Sequence, residues 1–130
     1  MTIEREVIAG PGVPPTIGPY SPGVRAGDML YVAGQPGVEP ESGRAVGPSL
    51  REQARQALRN VEAVLRAGGS RPELVVNVTV LVTDISEFAV VNEAFGEMFP
   101  VEPPARMVMQ VPLPLGLLIS VGCVAIVESA

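Results

Sequence analysis

The chain has 130 residues, 47% of them hydrophobic, and a formal charge of −5. That length suits one compact domain, here residues 1–130, and an acidic balance without a basic cluster argues against nucleic acid as a main partner. With no histidine, and arginine as the only basic residue type, histidine relays, HExxH zinc sites, Schiff bases and lysine-held pyridoxal cofactors are excluded.

The first residues, MTIEREVIAG, carry charges where a signal peptide would need its apolar stretch, so a cytoplasmic protein is expected. No apolar run reaches the roughly 18 residues of a membrane span. Up to Gly43 the chain is punctuated by PGVPP, GPYSPG and QPGVEPESG. Between these turns, strands are predicted around Ile3 to Ile8 and Met29 to Gly34.

Ser49 followed by Glu52 forms a capping-box pattern, after which Leu50, Ala54, Ala57, Leu58, Val61, Val64 and Leu65 recur at helical spacing. Gly68-Gly69 should end that helix. LVVNVTVLV, at 74–82, is rich in β-branched residues and reads as a strand. Asp84 with Glu87 predicts the start of a second helix through Phe88, Val91, Phe95 and Met98, stopped by Pro100. Phe88 and Phe95 lie on its apolar stripe and are expected in the core. ARMVMQV (105–111) and LLISVGCVAIV (117–127) read as two further strands, the last nearly continuous in apolar residues. Two helices would cover one face of a mixed sheet, an α+β arrangement whose other face must curl or meet another subunit. The single cysteine, Cys123, is a small core residue on this reading. One cysteine, two aspartates and scattered glutamates offer no metal-ligand spacing.

Arg106 is the only charge in PPARMVMQVPLP. A guanidinium does not lose its proton inside a protein and is costly to leave unpaired in apolar surroundings, so an anion should meet it. Two anions are open: a ligand, or a glutamate such as Glu102 or one from a neighbouring subunit.

The strings IGPYSPGV, YVAGQPGV, QARQALRNVEAVLRAGG, FAVVNEAFGEMF and PPARMVMQV occur in order along the chain and resemble the RidA/YjgF family of reactive intermediate deaminases. The resemblance implies a chorismate-mutase-like fold, two helices on one face of a mixed sheet, assembled as a homotrimer with ligand pockets between subunits. It implies hydrolysis of small enamine or imine carboxylates to 2-oxo acids and ammonium, without cofactor or metal. It places Arg106 as the arginine that holds the substrate carboxylate as a bidentate pair, aided by a backbone amide near Gly34. Tyr20 and Asn92 match family pocket positions; otherwise one is a half-buried ring and the other a solvated helix residue.

Three family polar positions are changed. A serine before the glycine, a cysteine two residues after the arginine and a glutamate on the last strand correspond here to Ala33, Val108 and Ser120. Imine hydrolysis needs a water held and its proton accepted; Ser120 can hold a water but is a weak base. Ser120 and Tyr20 are the expected catalytic residues, and Arg106, Gly34, Asn92, Val108 and Ala33 the expected substrate-binding ones. A pocket that keeps its arginine but loses polar anchors suits a carboxylate with a larger apolar body. Two alternatives therefore stand beside the deaminase: a non-catalytic binder of a carboxylate metabolite, and a pathway enzyme acting on a larger intermediate. Neither nucleic acid nor a membrane is an expected partner, although some members of the family have been described as ribonucleases.

Overall fold

The structure is a computed structural model that describes residues 4–128. Its elements are β1 (Arg5–Ile8), β2 (Gly23–Ala26), β3 (Met29–Pro36), α1 (Leu50–Ala67), β4 (Val75–Val82), α2 (Phe88–Met98), β5 (Ala105–Gln110) and β6 (Ile119–Ile126). The expected first strand is found from Arg5; Ile3 lies outside the described residues. β2 was not anticipated, because its four residues follow a proline-rich loop and are too few to establish an alternation.

The strands form one sheet in the order β1-β2-β3-β6-β4-β5. β4 and β5 pair in parallel and the remaining neighbours are antiparallel. A parallel pair needs a crossover connection, and α2 supplies it.

α1 starts where the sequence places it. The Ser49 hydroxyl accepts from the Glu52 amide at 3.2 Å. It ends in a Schellman pattern, in which Ser70 N–H donates to the Leu65 carbonyl and Gly69 N–H to that of Arg66. Gly69 takes the left-handed φ of +83° that this motif requires. The start of α2 differs from expectation. Asp84 caps a single 3-10 turn, Ile85–Glu87, through the Ser86 amide, and α2 follows from Phe88.

Alternation along the strands sends Leu30, Val32, Val78, Val80, Ile119, Val121 and Cys123 to one face, where they are buried with Leu58, Val61, Leu65 and Phe95. The opposite face carries no helix. Tyr31, Met107, Met109 and Ile126 are exposed there, beside partly buried Leu81 and Val124. The uncovered apolar face inferred from the sequence is thus present.

Two buried amides tie α1 to the loops around the sheet. Gln53 donates to the Gly47 carbonyl at 2.9 Å and accepts from Leu118 N–H at 2.8 Å. Asn60 donates to the carbonyls of Pro36 and Val38 at 3.0 and 2.9 Å. These bonds fix the far end of β3 and the segment leading into β6.

Candidate active site

Arg106 lies on β5, the edge strand, in register with Val78 of β4. Val78 is buried on the helix face, so Arg106 points to that side too. Its guanidinium carbon stands 4.8 Å from the Phe95 ring centroid and 5.3 Å from that of Phe88. The carboxylates of α2 are engaged elsewhere, Glu93 with Arg51 and Glu97 with Arg55. Among the described residues no carboxylate forms an ion pair with Arg106, so the alternative pairing with Glu102 is not found. Glu102 instead sits in a left-handed turn with φ 47°.

Phe95 is 7% exposed and belongs to the core, as expected, but Phe88 is 39% exposed. The expectation for Phe88 is therefore corrected: its ring lies at the mouth of the Arg106 site. Asn92 is one turn beyond Phe88 and shares a helix face with Phe88 and Phe95; it is exposed. Val108 follows Arg106 by two residues on the same side of β5 and packs against the core.

A second group of predicted residues gathers across the sheet. Between Val32 and Gln35 the β3–β6 register shifts, so Ala33 and Gly34 stand opposite Gly122 alone, the two-against-one arrangement of a β-bulge. Ala33 N–H donates to the Pro22 carbonyl at 2.9 Å, anchoring the loop that carries Tyr20. The Tyr20 ring is 43% exposed, and its hydroxyl accepts from Ile17 N–H at 3.2 Å. Gly34 lies against Ser120, whose hydroxyl would be 2.5 Å from a β-carbon at Gly34.

The two groups do not meet within one chain. Ser120 pairs with Leu81 of β4, and Leu81 pairs with Met109 of β5, which puts Arg106 two strands across and three residues along from Ser120. Strand spacing and rise make that a Cα separation of roughly 14 Å. The two side chains also leave opposite faces of the sheet. Arg106 and Val108 lie on β5, with Asn92 on the neighbouring α2; Ala33 and Gly34 lie on β3 and Ser120 on β6, with Tyr20 in the loop before β2.

A cavity of about 670 Å³ lies apart from both, between the two helices and the turn before β5, with Leu58, Val75 and Phe99 among its walls. Of its charged wall residues, Arg55 is paired with Glu97, Glu62 with Arg66 and Glu73 with Arg71, Arg59 donates to the Gln56 side chain, and Glu102 forms no ion pair among the described residues. It contains none of the predicted site residues. Burial pushes the Cys123 thiol up to about 12, which suits a core residue and not a nucleophile.

The Endoribonuclease L-PSP family model matches residues 12–127. Human 2-iminobutanoate/2-iminopropanoate deaminase is 42% identical over 123 residues, 94% of this chain and 90% of that protein. The chain belongs to the RidA/YjgF family. Reactive Intermediate Deaminase A of Arabidopsis thaliana chloroplasts is 34% identical over 125 residues, 95% of this chain and 67% of its own length. Among solved structures, E. coli TdcF with bound serine superimposes with a TM-score of 0.88 at 31% identity, covering 95% of this chain and 100% of that one. The E. coli YjgF gene product gives 0.87 at 35% identity, covering 93% and 98%. No helix among the described residues is long and apolar enough to cross a membrane.

Proposed function

We propose that this RidA/YjgF protein hydrolyses small enamine or imine carboxylates to 2-oxo acids and ammonium, in a site completed between subunits and anchored by Arg106. The observation that carries the reading is the Arg106 guanidinium, stacked on two rings with no described carboxylate paired to it. A planar fork of donors left open in this way fits a carboxylate bidentately. Relatives named as imine deaminases support the reaction, and TdcF, which holds serine, supports a small α-substituted carboxylate as the ligand class.

Arg106 and Ser120, with Cα atoms roughly 14 Å apart and side chains on opposite faces of the sheet, argue for a neighbouring subunit. A homotrimer would cover the apolar face bearing Met107 and Met109 and carry Ser120 and Tyr20 of one chain toward Arg106 of the next. Water adds to the C=N carbon as the π electrons move to nitrogen, which takes up one of the water's protons; the nitrogen then takes the hydroxyl proton and one from solvent, and ammonium leaves as the C–N bond breaks and the carbonyl forms. Arg106 holds the carboxylate with help from the bulged main chain at Gly34, Ser120 holds the water, and Asn92 with Tyr20 borders the ligand. Ala33 and Val108 leave the walls less polar than in family members that carry serine and cysteine there.

The test is ammonium release from 2-aminoacrylate generated in situ, compared with the Arg106→Ala variant. Acceleration that the variant loses supports the reaction. No acceleration by a folded trimer overturns it and favours the second reading, a carboxylate-binding protein. That reading is motivated by Ser120 at the glutamate position, because a serine hydroxyl is a weak base at neutral pH.

A further inference from the structure

Most arginines on the helix surface are held by acids: Arg51 and Arg55 by Glu93 and Glu97, and Arg66 by Glu62. Arg106 is treated differently. It has two aromatic faces beneath it and, among the described residues, neither a salt bridge nor a side-chain hydrogen bond. An acid would occupy the N–H edge of the guanidinium, the edge a ligand carboxylate needs. A ring attracts the cation through its face and leaves that edge open.

The two rings are built into α2 in different ways. Phe95 is buried and lies 4.7 Å, centroid to centroid, from Phe99, so its position is set by core packing. Phe88 stands at the first residue of α2, directly after the 3-10 turn capped by Asp84, and is largely free of the core. Arg106 is its described aromatic–cation partner.

We infer that Phe88 and Phe95 are positioning residues for Arg106: they replace an acidic counterion, fix the plane of the guanidinium and keep its donor edge available for the ligand carboxylate. Phe88 carries the part of this role that is separable from core packing. The inference rests on the carboxylate-binding reading above and adds the means by which the arginine is kept both charged and unoccupied.

Phe88→Leu removes the π face with a small loss of apolar volume at an exposed position, and Phe88→Tyr restores a face. With 2-aminoacrylate-derived imine as substrate, Phe88→Leu should raise KM about 3- to 10-fold, the range of one partly exposed cation–π contact. Its kcat should stay within about 2-fold and its melting temperature near wild type, and Phe88→Tyr should return KM to the wild-type value. Side-chain NMR of Arg106 gives a readout independent of turnover. Its δ-methylene and Nε–H signals should be displaced by ring current in the wild type and move toward ordinary arginine values in Phe88→Leu. If Arg106→Ala abolishes activity while Phe88→Leu leaves KM and the NMR signals unchanged, the positioning role is overturned and the function stands. If Arg106→Ala changes nothing, both fall. If Phe88→Leu lowers kcat with KM unchanged, Phe88 is not acting through carboxylate binding and the inference is again overturned.

Discussion

Gly34 stands so close to Ser120 that a β-carbon on the glycine would lie 2.5 Å from the serine hydroxyl. The clash is with a group that can rotate to another staggered position. Gly34→Ala is therefore expected to cost under about 1 kcal/mol of stability while turning the Ser120 hydroxyl away. If Ser120 holds the reacting water, Gly34→Ala and Ser120→Ala should lower ammonium release by similar factors, and the double variant should be no worse than either single one. Gly37 provides the contrast. A β-carbon there would meet the Gln53 carbonyl oxygen at 2.3 Å and its Cα at 2.5 Å, and α1 main chain cannot rotate aside. Gly37→Ala should cost about 1–3 kcal/mol or more, as measured by urea unfolding.

Asn60 is 1% exposed and its amide satisfies two carbonyls near the end of β3. Asn60→Leu keeps the number of side-chain heavy atoms but leaves those carbonyls, and the Gln56 amide that donates to Asn60 Oδ1, without this partner. A loss of about 2–4 kcal/mol is expected from the orphaned groups. A midpoint in urea unchanged from wild type would show that water replaces the side chain.

The helices were legible because their ends are marked chemically: Ser49, Gly69 and Pro100 fall where the chain does start and stop. β4 and β6 were legible from their β-branched and apolar runs. β2 was hidden, since pairing on both sides and not its own composition makes it a strand. Asn60 and Gln53 carry a signal in the sequence, as each sits on the apolar stripe of α1 where a polar residue has to find partners. The role of Phe88 was obscured because helical periodicity places it on the stripe whether its ring meets the core or a guanidinium. Arg106 and Ser120 were assigned to one pocket between subunits on family pattern; that they lie on opposite faces of a single chain's sheet follows from pairings with β4 that sequence spacing alone does not contain.

No side chain here ordinarily titrates between about pH 5.5 and 8, because histidine is absent. Stability should be flat across that window. Toward acid, the folded-state carboxyls of Glu93, held low by its hydrogen bond and charge pairing with Arg51, and Asp84, held low by its bonds from Ser86, contribute stability that is present above their unfolded values of 4.5 and 3.8. That contribution is lost as pH falls through the folded values. Toward alkali the sign reverses: the Cys123 thiol ionises near 9.0 when unfolded and only at about 12 when folded, so stability is full below 9 and declines between the two. Thermal melts from pH 3 to 11 should show this plateau, and Cys123→Val should lessen the alkaline fall.

Met107 is 57% exposed on the helix-free face. If that face is the seam of a homotrimer, Met107→Glu introduces a charge into it without touching the monomer core. Sedimentation is expected to give three times the chain mass for the wild type and the chain mass for the variant, with imine hydrolysis lost alongside. A wild-type monomer, or a variant that stays trimeric, would remove the assembly from the account.

β6 follows every other strand along the chain yet lies in the middle of the sheet, between β3 and β4. During synthesis β1 to β3 and β4 to β5 therefore emerge as two pieces with no strand to join them, each presenting an unpaired edge to its surroundings. The nascent chain remains exposed to edge-to-edge aggregation until the last strand leaves the ribosome. Closing the sheet is then a single late step made of contacts distant in sequence, a topology that favours slow, all-or-none folding.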